Sequence, residues 1–245
     1  MFLPLTRSFI TFGSAHNLAI LVTVILTLVL TRRARKHRAT SDLRTTRYLL
    51  GGLLLLAVSL DPVLTLERYG WGAKGFDLLI DNSLPLYLCD VVSIFLAFAL
   101  FTKNQRLAEI GFLWGLAGTM QGLLMPTLWF DQNELEFYVF FLQHGGAPLA
   151  AVFLVWGIGI VPEAGAFRRA ILWSLGYLAT IMTINVIIGE NYGFLNGKPA
   201  VPTFFDHMGP WPFYLITLQV IAYSLYAILL KIAPKEAARN DQLAA

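Results

Sequence analysis

Two side chains in this sequence have the chemistry of a nucleophile and a base. Cys89 is the only cysteine in 245 residues, and His144 lies in a second apolar run of similar character. Polar side chains are costly inside hydrocarbon, so a functional site is the default reading for such residues. Their chemistry would be covalent catalysis, with an activated thiol attacking an electrophile. A thiol attacks as its thiolate and needs a base or a positive charge close by. Asp90 follows Cys89 but turns about 100° away around a helix, so it is not automatically the partner. His144 is the candidate base. Taken alone, Cys89 also reads as a small apolar packing residue.

The elements that carry these residues follow from composition. The chain is 57% hydrophobic and 13% charged, with a mean hydropathy of +0.64, too apolar for a soluble domain of this size. Seven runs have the length and composition of membrane-spanning helices. They cover about 14–31, 48–66, 84–101, 107–124, 138–161, 167–188 and 211–231. The fold expected over 1–245 is therefore one all-α, polytopic transmembrane domain with a short tail at 232–245.

Basic residues orient the spans. Alternate connections and the tail hold Arg32, Arg33, Arg35, Lys36, Arg38, Arg44, Arg47, Lys103, Arg106, Arg168, Arg169, Lys231, Lys235 and Arg239, which is 14 of 18. Only Arg7, Arg68, Lys74 and Lys198 fall on the other side. The positive-inside rule then predicts an outer N-terminus and a cytoplasmic C-terminus. The run at 32–38 reads as a topology determinant at the inner headgroups, with no nucleic-acid partner expected.

With that orientation, polar residues gather in the outer half of the bundle. Cys89 lies about 8 Å along its span and His144 about 9 Å along another. Gln121, Asn185, Glu190, His16 and Asp61 occupy the outer parts of four further spans. In the inner half Glu109 is the main exception. A polar layer confined to one leaflet points to an outward-opening pocket and away from a through-going ion path. The connection 189–210, with Asn191, Tyr192 and a high density of Gly, Pro and aromatics, is expected to cap that pocket.

Local chemistry adds two expectations. Pro148 lacks the amide that would bond the carbonyl of His144, and Gly145 and Gly146 loosen the same turn, predicting a bend there. Gly111 with Gly115, and Gly118 with Gly122, are small residues at four-residue spacing that let helices approach closely. Gln121 beside them reads equally as interhelical glue. His16, His144, Asp61 and Glu190 lack close ligand spacing, so neither a metal nor another cofactor is expected.

Five segments carry a family resemblance. They are Leu84-Pro85-Leu86-Tyr87-Leu88-Cys89-Asp90, the run from Phe112 to Gln121, Phe140-Phe141-Leu142-Gln143-His144-Gly145, Asn191-Tyr192-Gly193-Phe194-Leu195 with Lys198-Pro199, and Gly209-Pro210-Trp211-Pro212-Phe213-Tyr214. In order, and preceded by Phe12-Gly13 and His16, they resemble the YwaF-type bacterial integral membrane family. That family is similar to the eukaryotic transmembrane protein 164, a phospholipid acyltransferase with a cysteine and histidine pair. The resemblance implies those roles for Cys89 and His144, and a multi-pass protein of the bacterial plasma membrane acting on phospholipids or other lipid esters. Where the bacterial pattern often carries histidine, this chain has Tyr87.

The reaction expected is ping-pong acyl transfer through a thioester on Cys89, with His144 as base. Gln121 or Asn185 would donate to the oxyanion. Tyr87, His16, Asp61, Glu190, Asn191 and Tyr192 complete the candidate binding residues. Water as acceptor would make the same pair a lipid ester hydrolase. The competing class is a seven-helix transporter or receptor that binds a small molecule or lipid in the outer pocket.

Overall fold

The structure, a computed structural model, describes residues 9–38, 43–198 and 204–235. Arg7, Pro199 with the rest of 199–203, and most of the tail including Arg239 lie outside the described residues. The described elements are all helical: α1 (Ser14–His37), α2 (Arg44–Tyr69), α3 (Ala73–Asn82), α4 (Leu88–Thr102), α5 (Gln105–Trp114), α6 (Met120–Leu124), α7 (Leu135–Val152), α8 (Ala166–Ile188) and α9 (Phe213–Ile232). Wider π segments join α5 to α6 at Gly115–Thr119 and extend α7 at Phe153–Ile158. Short 3-10 turns occupy Tyr192–Phe194 and Phe204–Met208.

Six helices are long and apolar enough to cross a membrane: α1, α2, α5 through α6, α7 with its π extension, α8 and α9. The run predicted as the third span, 84–101, forms α4, a shorter apolar helix of 15 residues. Its first four predicted residues are not helical, because Pro85 supplies no amide and Tyr87 takes an extended conformation (ψ 153°) before the helix begins.

The bundle is layered. α4, α5 and α7 form its interior, with α2 against α4 and α7, and α1 along α7 and its π extension. Leu96, Leu100, Phe112, Leu113, Phe153 and Leu154 are fully buried between them. α1, α8 and α9 instead expose large apolar side chains such as Leu21, Ile25, Leu172, Leu175, Ile216 and Val220. Such faces belong against lipid, whose chains are as apolar as the core. The indole of Trp114 donates to Ser174 Oγ at 3.0 Å, which also meets Tyr226 OH at 3.1 Å, tying α5, α8 and α9 together.

Charged side chains secure both ends. Near α3, Arg68 pairs with Glu134 at 2.7 Å and Glu136 at 2.6 Å. At the opposite end, buried Glu109 accepts from Arg169 through both oxygens, at 2.7 and 2.8 Å. Arg47, buried in the first turn of α2, donates to the carbonyls of Leu100 and Phe101 at 2.8 Å each and so caps the end of α4.

The Pro148 on which the bend was predicted lies inside α7. α7 runs through Pro148 without interruption, and the irregular hydrogen bonding comes later, at Phe153–Ile158. Dense packing of the segment Ala147–Ala151 explains this: all five residues are buried and hold the backbone in place despite the missing amide.

Candidate functional site

Cys89 lies in the first turn of α4, not a turn and a half into a helix. Tyr87 is the N-cap residue, and its amide donates to Asp90 Oδ2 at 3.1 Å, the reach-back half of a capping box. The first turn places the amides of Cys89 and Asp90 within hydrogen-bonding reach of the Cys89 sulfur. The thiol is half-buried, and the Cys89 carbonyl accepts from Ser93 Oγ at 2.7 Å.

The non-helical approach to this turn is clamped by two phenols. Tyr177 of α8 donates to Leu86 O at 2.9 Å. Tyr192, fully buried, accepts from Leu84 N at 2.9 Å and donates to Ile80 O at 2.8 Å. Burial pushes the Tyr192 phenol up to about 12, so it stays a donor at neutral pH. Its ring lies 4.9 Å from that of Tyr87.

His144 is buried on α7. Its Nδ1 meets Phe140 O at 3.0 Å. A carbonyl can only accept, so Nδ1 carries the proton and Nε2 is the basic nitrogen. The ring stacks on Phe140 at 3.9 Å and lies against the backbone of Gly122. A Cβ at Gly122 would stand 2.1 Å from His144 Cδ2 and 2.6 Å from Nε2. The expected small-residue face is thus in place: Gly111 receives Leu96, Gly118 receives Leu88, Gly115 meets Ala151, and Gly122 receives the imidazole.

The helices of the thiol and the imidazole are joined one residue along. Gln143 Nε2 donates to Asp90 Oδ1 at 2.6 Å, so Cys89 and His144 flank a hydrogen bond that spans α4 and α7. Among the described residues no hydrogen bond joins thiol to imidazole directly. Asp61 lies near Cys89, Tyr87 and Asp90, with its carboxyl hydrogen-bonded by Ser83. Ser83 Oγ in turn meets Thr65 Oγ1 at 2.7 Å.

The remaining candidates serve other contacts. His16 is fully buried; Nδ1 accepts from Phe12 N at 2.8 Å and Nε2 donates to Leu123 O at 2.8 Å, so both ring nitrogens are engaged with backbone. Asn185 gives its amide hydrogens to Tyr192 O at 3.0 Å and Asn196 Oδ1 at 2.9 Å, and accepts from Tyr192 N at 2.8 Å. Asn191 donates to Gly197 O at 2.8 Å and accepts from Asn196 N at 2.9 Å. Glu190 meets the carboxyl of Asp81. Gln121 is exposed at the start of α6.

Three residues not singled out from sequence help build the site: Gln143, Ser83 and Tyr177. Gln143 left a readable signal, a second polar side chain beside His144 in an apolar run. Thr119 closes the π segment with its hydroxyl buried and without a hydrogen-bond partner among the described residues. No group of three or more His, Cys, Asp or Glu able to hold a metal ion occurs among the described residues.

The family model of the TMEM164 family matches residues 11–230, and the chain belongs to that family. No curated protein and no solved structure matches it.

Proposed function

We propose that this TMEM164-family chain is a membrane-embedded lipid acyltransferase with Cys89 as nucleophile and His144 as base. In this reading α4 completes seven spans in a bacterial plasma membrane, with the N-terminus outside and the reaction in the outer half. The observation that carries the proposal is the Asp90–Gln143 hydrogen bond, which brings a first-turn cysteine and a histidine with a free Nε2 to the same level of the bundle.

The thiol proton passes to His144 Nε2 as the lipid ester seats, since catalytic hydrogen bonds tighten in the substrate complex. Sγ attacks the ester carbonyl, the C–O bond breaks, and the leaving lysolipid oxygen takes the proton back from Nε2. An acceptor hydroxyl then gives its proton to Nε2 and attacks the thioester. The C–S bond breaks, and the proton returns to the sulfur.

The oxyanion donors we assign are the first-turn amides of α4, those of Leu88 and Cys89, which have no carbonyl one turn behind them. A single such donor contributes about 2.7–4 kcal/mol elsewhere. Asn185 would have to give up a loop contact to take this role.

The test is direct. Purified protein given phospholipid with a labelled acyl chain should accumulate a hydroxylamine-labile adduct that Cys89→Ser abolishes and His144→Ala suppresses. A wild-type protein that forms no adduct on any glycerophospholipid tested would sink the proposal.

A further inference from the structure

Thr119 lies on the stripe of the fourth predicted span that faces α7, four residues after Gly115 and three before Gly122. Gly115 faces that helix at Ala147 O (3.7 Å) and the Ala151 Cβ (3.4 Å), and Gly122 faces it at the His144 ring. Thr119 falls between these two points of contact. It is 3% exposed, and Oγ1 has no hydrogen-bond partner among the described residues.

A buried hydroxyl left unpaired costs about 1–3 kcal/mol. Valine would fill the same volume without that cost, so the oxygen calls for a use. Two polar features of α7 share its level. One is the basic Nε2 of His144, set against Gly122 three residues further along the same span. The other is the His144 carbonyl, which loses its helical donor at Pro148. The hydroxyl is also mounted at the end of a π segment, a feature frequent at functional sites.

We propose that Thr119 and His144 form the subsite for the second substrate's hydroxyl group, the oxygen that removes the acyl chain from Cys89. This inference rests on the acyl-enzyme reading above. Thr119 Oγ1 hydrogen-bonds the incoming oxygen while His144 Nε2 takes its proton. The oxygen attacks the thioester carbonyl, the C–S bond breaks, and the proton ends on the sulfur. The hydroxyl belongs either to an acceptor lipid or to water, and the two sources share this chemistry.

The experiment separates the two half-reactions. Full-length protein in nanodiscs is pulsed with acyl-labelled phospholipid, then chased with unlabelled lysophospholipid in 18O-water. Thr119→Val should acylate Cys89 at the wild-type rate and discharge it about tenfold more slowly, the loss of one such contact. Thr119→Ser should restore discharge, and the melting temperature of Thr119→Val should equal or exceed that of wild type. Label leaving as phospholipid identifies a lipid hydroxyl, and 18O-labelled fatty acid identifies water; either supports the subsite when Thr119→Val slows it. Wild-type discharge in both Thr119→Val and Thr119→Ala overturns the inference and leaves the acyl-enzyme standing. Absence of any wild-type adduct overturns both.

Discussion

The carboxylate of Asp90 and the amide of Gln143 meet at 2.6 Å, one residue beyond Cys89 and one residue before His144. Asp90 is engaged on both oxygens, by Gln143 on one and by the Tyr87 amide on the other. One carboxylate thereby fixes where α4 begins and where it sits against α7. The helices that carry the thiol and the imidazole meet at that group.

Replacing Gln143 by Met keeps side-chain length and removes the donor. Asp90 then holds a poorly satisfied oxygen, at a cost of about 1–3 kcal/mol. The expected result is a modest fall in melting temperature with a much larger fall in the rate of Cys89 acylation. Equal acylation in Gln143→Met and wild type would show that the bridge does not position the pair.

Gly122→Ala puts a methyl group where the His144 ring now lies, 2.1 Å from Cδ2. Gly118→Ala meets only the end of Leu88, at 2.7 Å from Cδ2, and that side chain can turn aside. Overpacking costs about 1–3 kcal/mol in either case. Acylation should be lost in Gly122→Ala and largely kept in Gly118→Ala, as read by the labelled adduct.

Asn185→Leu separates a structural role from a chemical one. The buried amide makes three hydrogen bonds to Tyr192 and Asn196, and their loss should cost about 2–4 kcal/mol. Faster proteolysis within 189–198 is expected along with slower acylation. Slow acylation with unchanged protease resistance would instead assign Asn185 to the oxyanion.

The 189–198 loop should also respond to pH. The hydrogen bond to Asp81, helped by burial, pushes the Glu190 carboxyl from its ordinary 4.5 up to about 7. A raised folded value means that protonated Glu190 stabilises the loop fully below 4.5 and progressively less as pH rises through about 7. Hydrogen exchange of residues 189–198 should therefore quicken between about pH 5 and about pH 8 beyond its intrinsic dependence. Glu190→Gln should flatten that excess.

Much of this site was legible from residue types, and the rest was hidden for identifiable reasons. Hydropathy located every long helix, and four-residue glycine spacing anticipated the face that receives Leu88 and His144. The start of α4 was obscured because Leu84, Leu86 and Leu88 keep the apolar run going through non-helical backbone; Pro85 and the Asp90 cap were the contrary signals. His16 and Asn185 looked chemically available, but His16 is held by the backbone of Phe12 and Leu123, and Asn185 by Tyr192 and Asn196 of the 189–198 loop. The two π segments left no pattern in composition, since an i→i+5 ladder is imposed by packing around it.

The π segment at Gly115–Thr119 sets a phase. It holds one residue more than an α-helical turn requires, so it fixes the rotation of α6 relative to α5. Winding this stretch as α-helix with all its residues kept would swing everything beyond it by about 100°. Gly118 and Gly122 would leave Leu88 and His144, and bulkier neighbours would turn into their places. The wide turn therefore takes up one extra residue while keeping the glycines beyond it aimed at their partners: a span wound as α-helix throughout would need one residue fewer to present the same face.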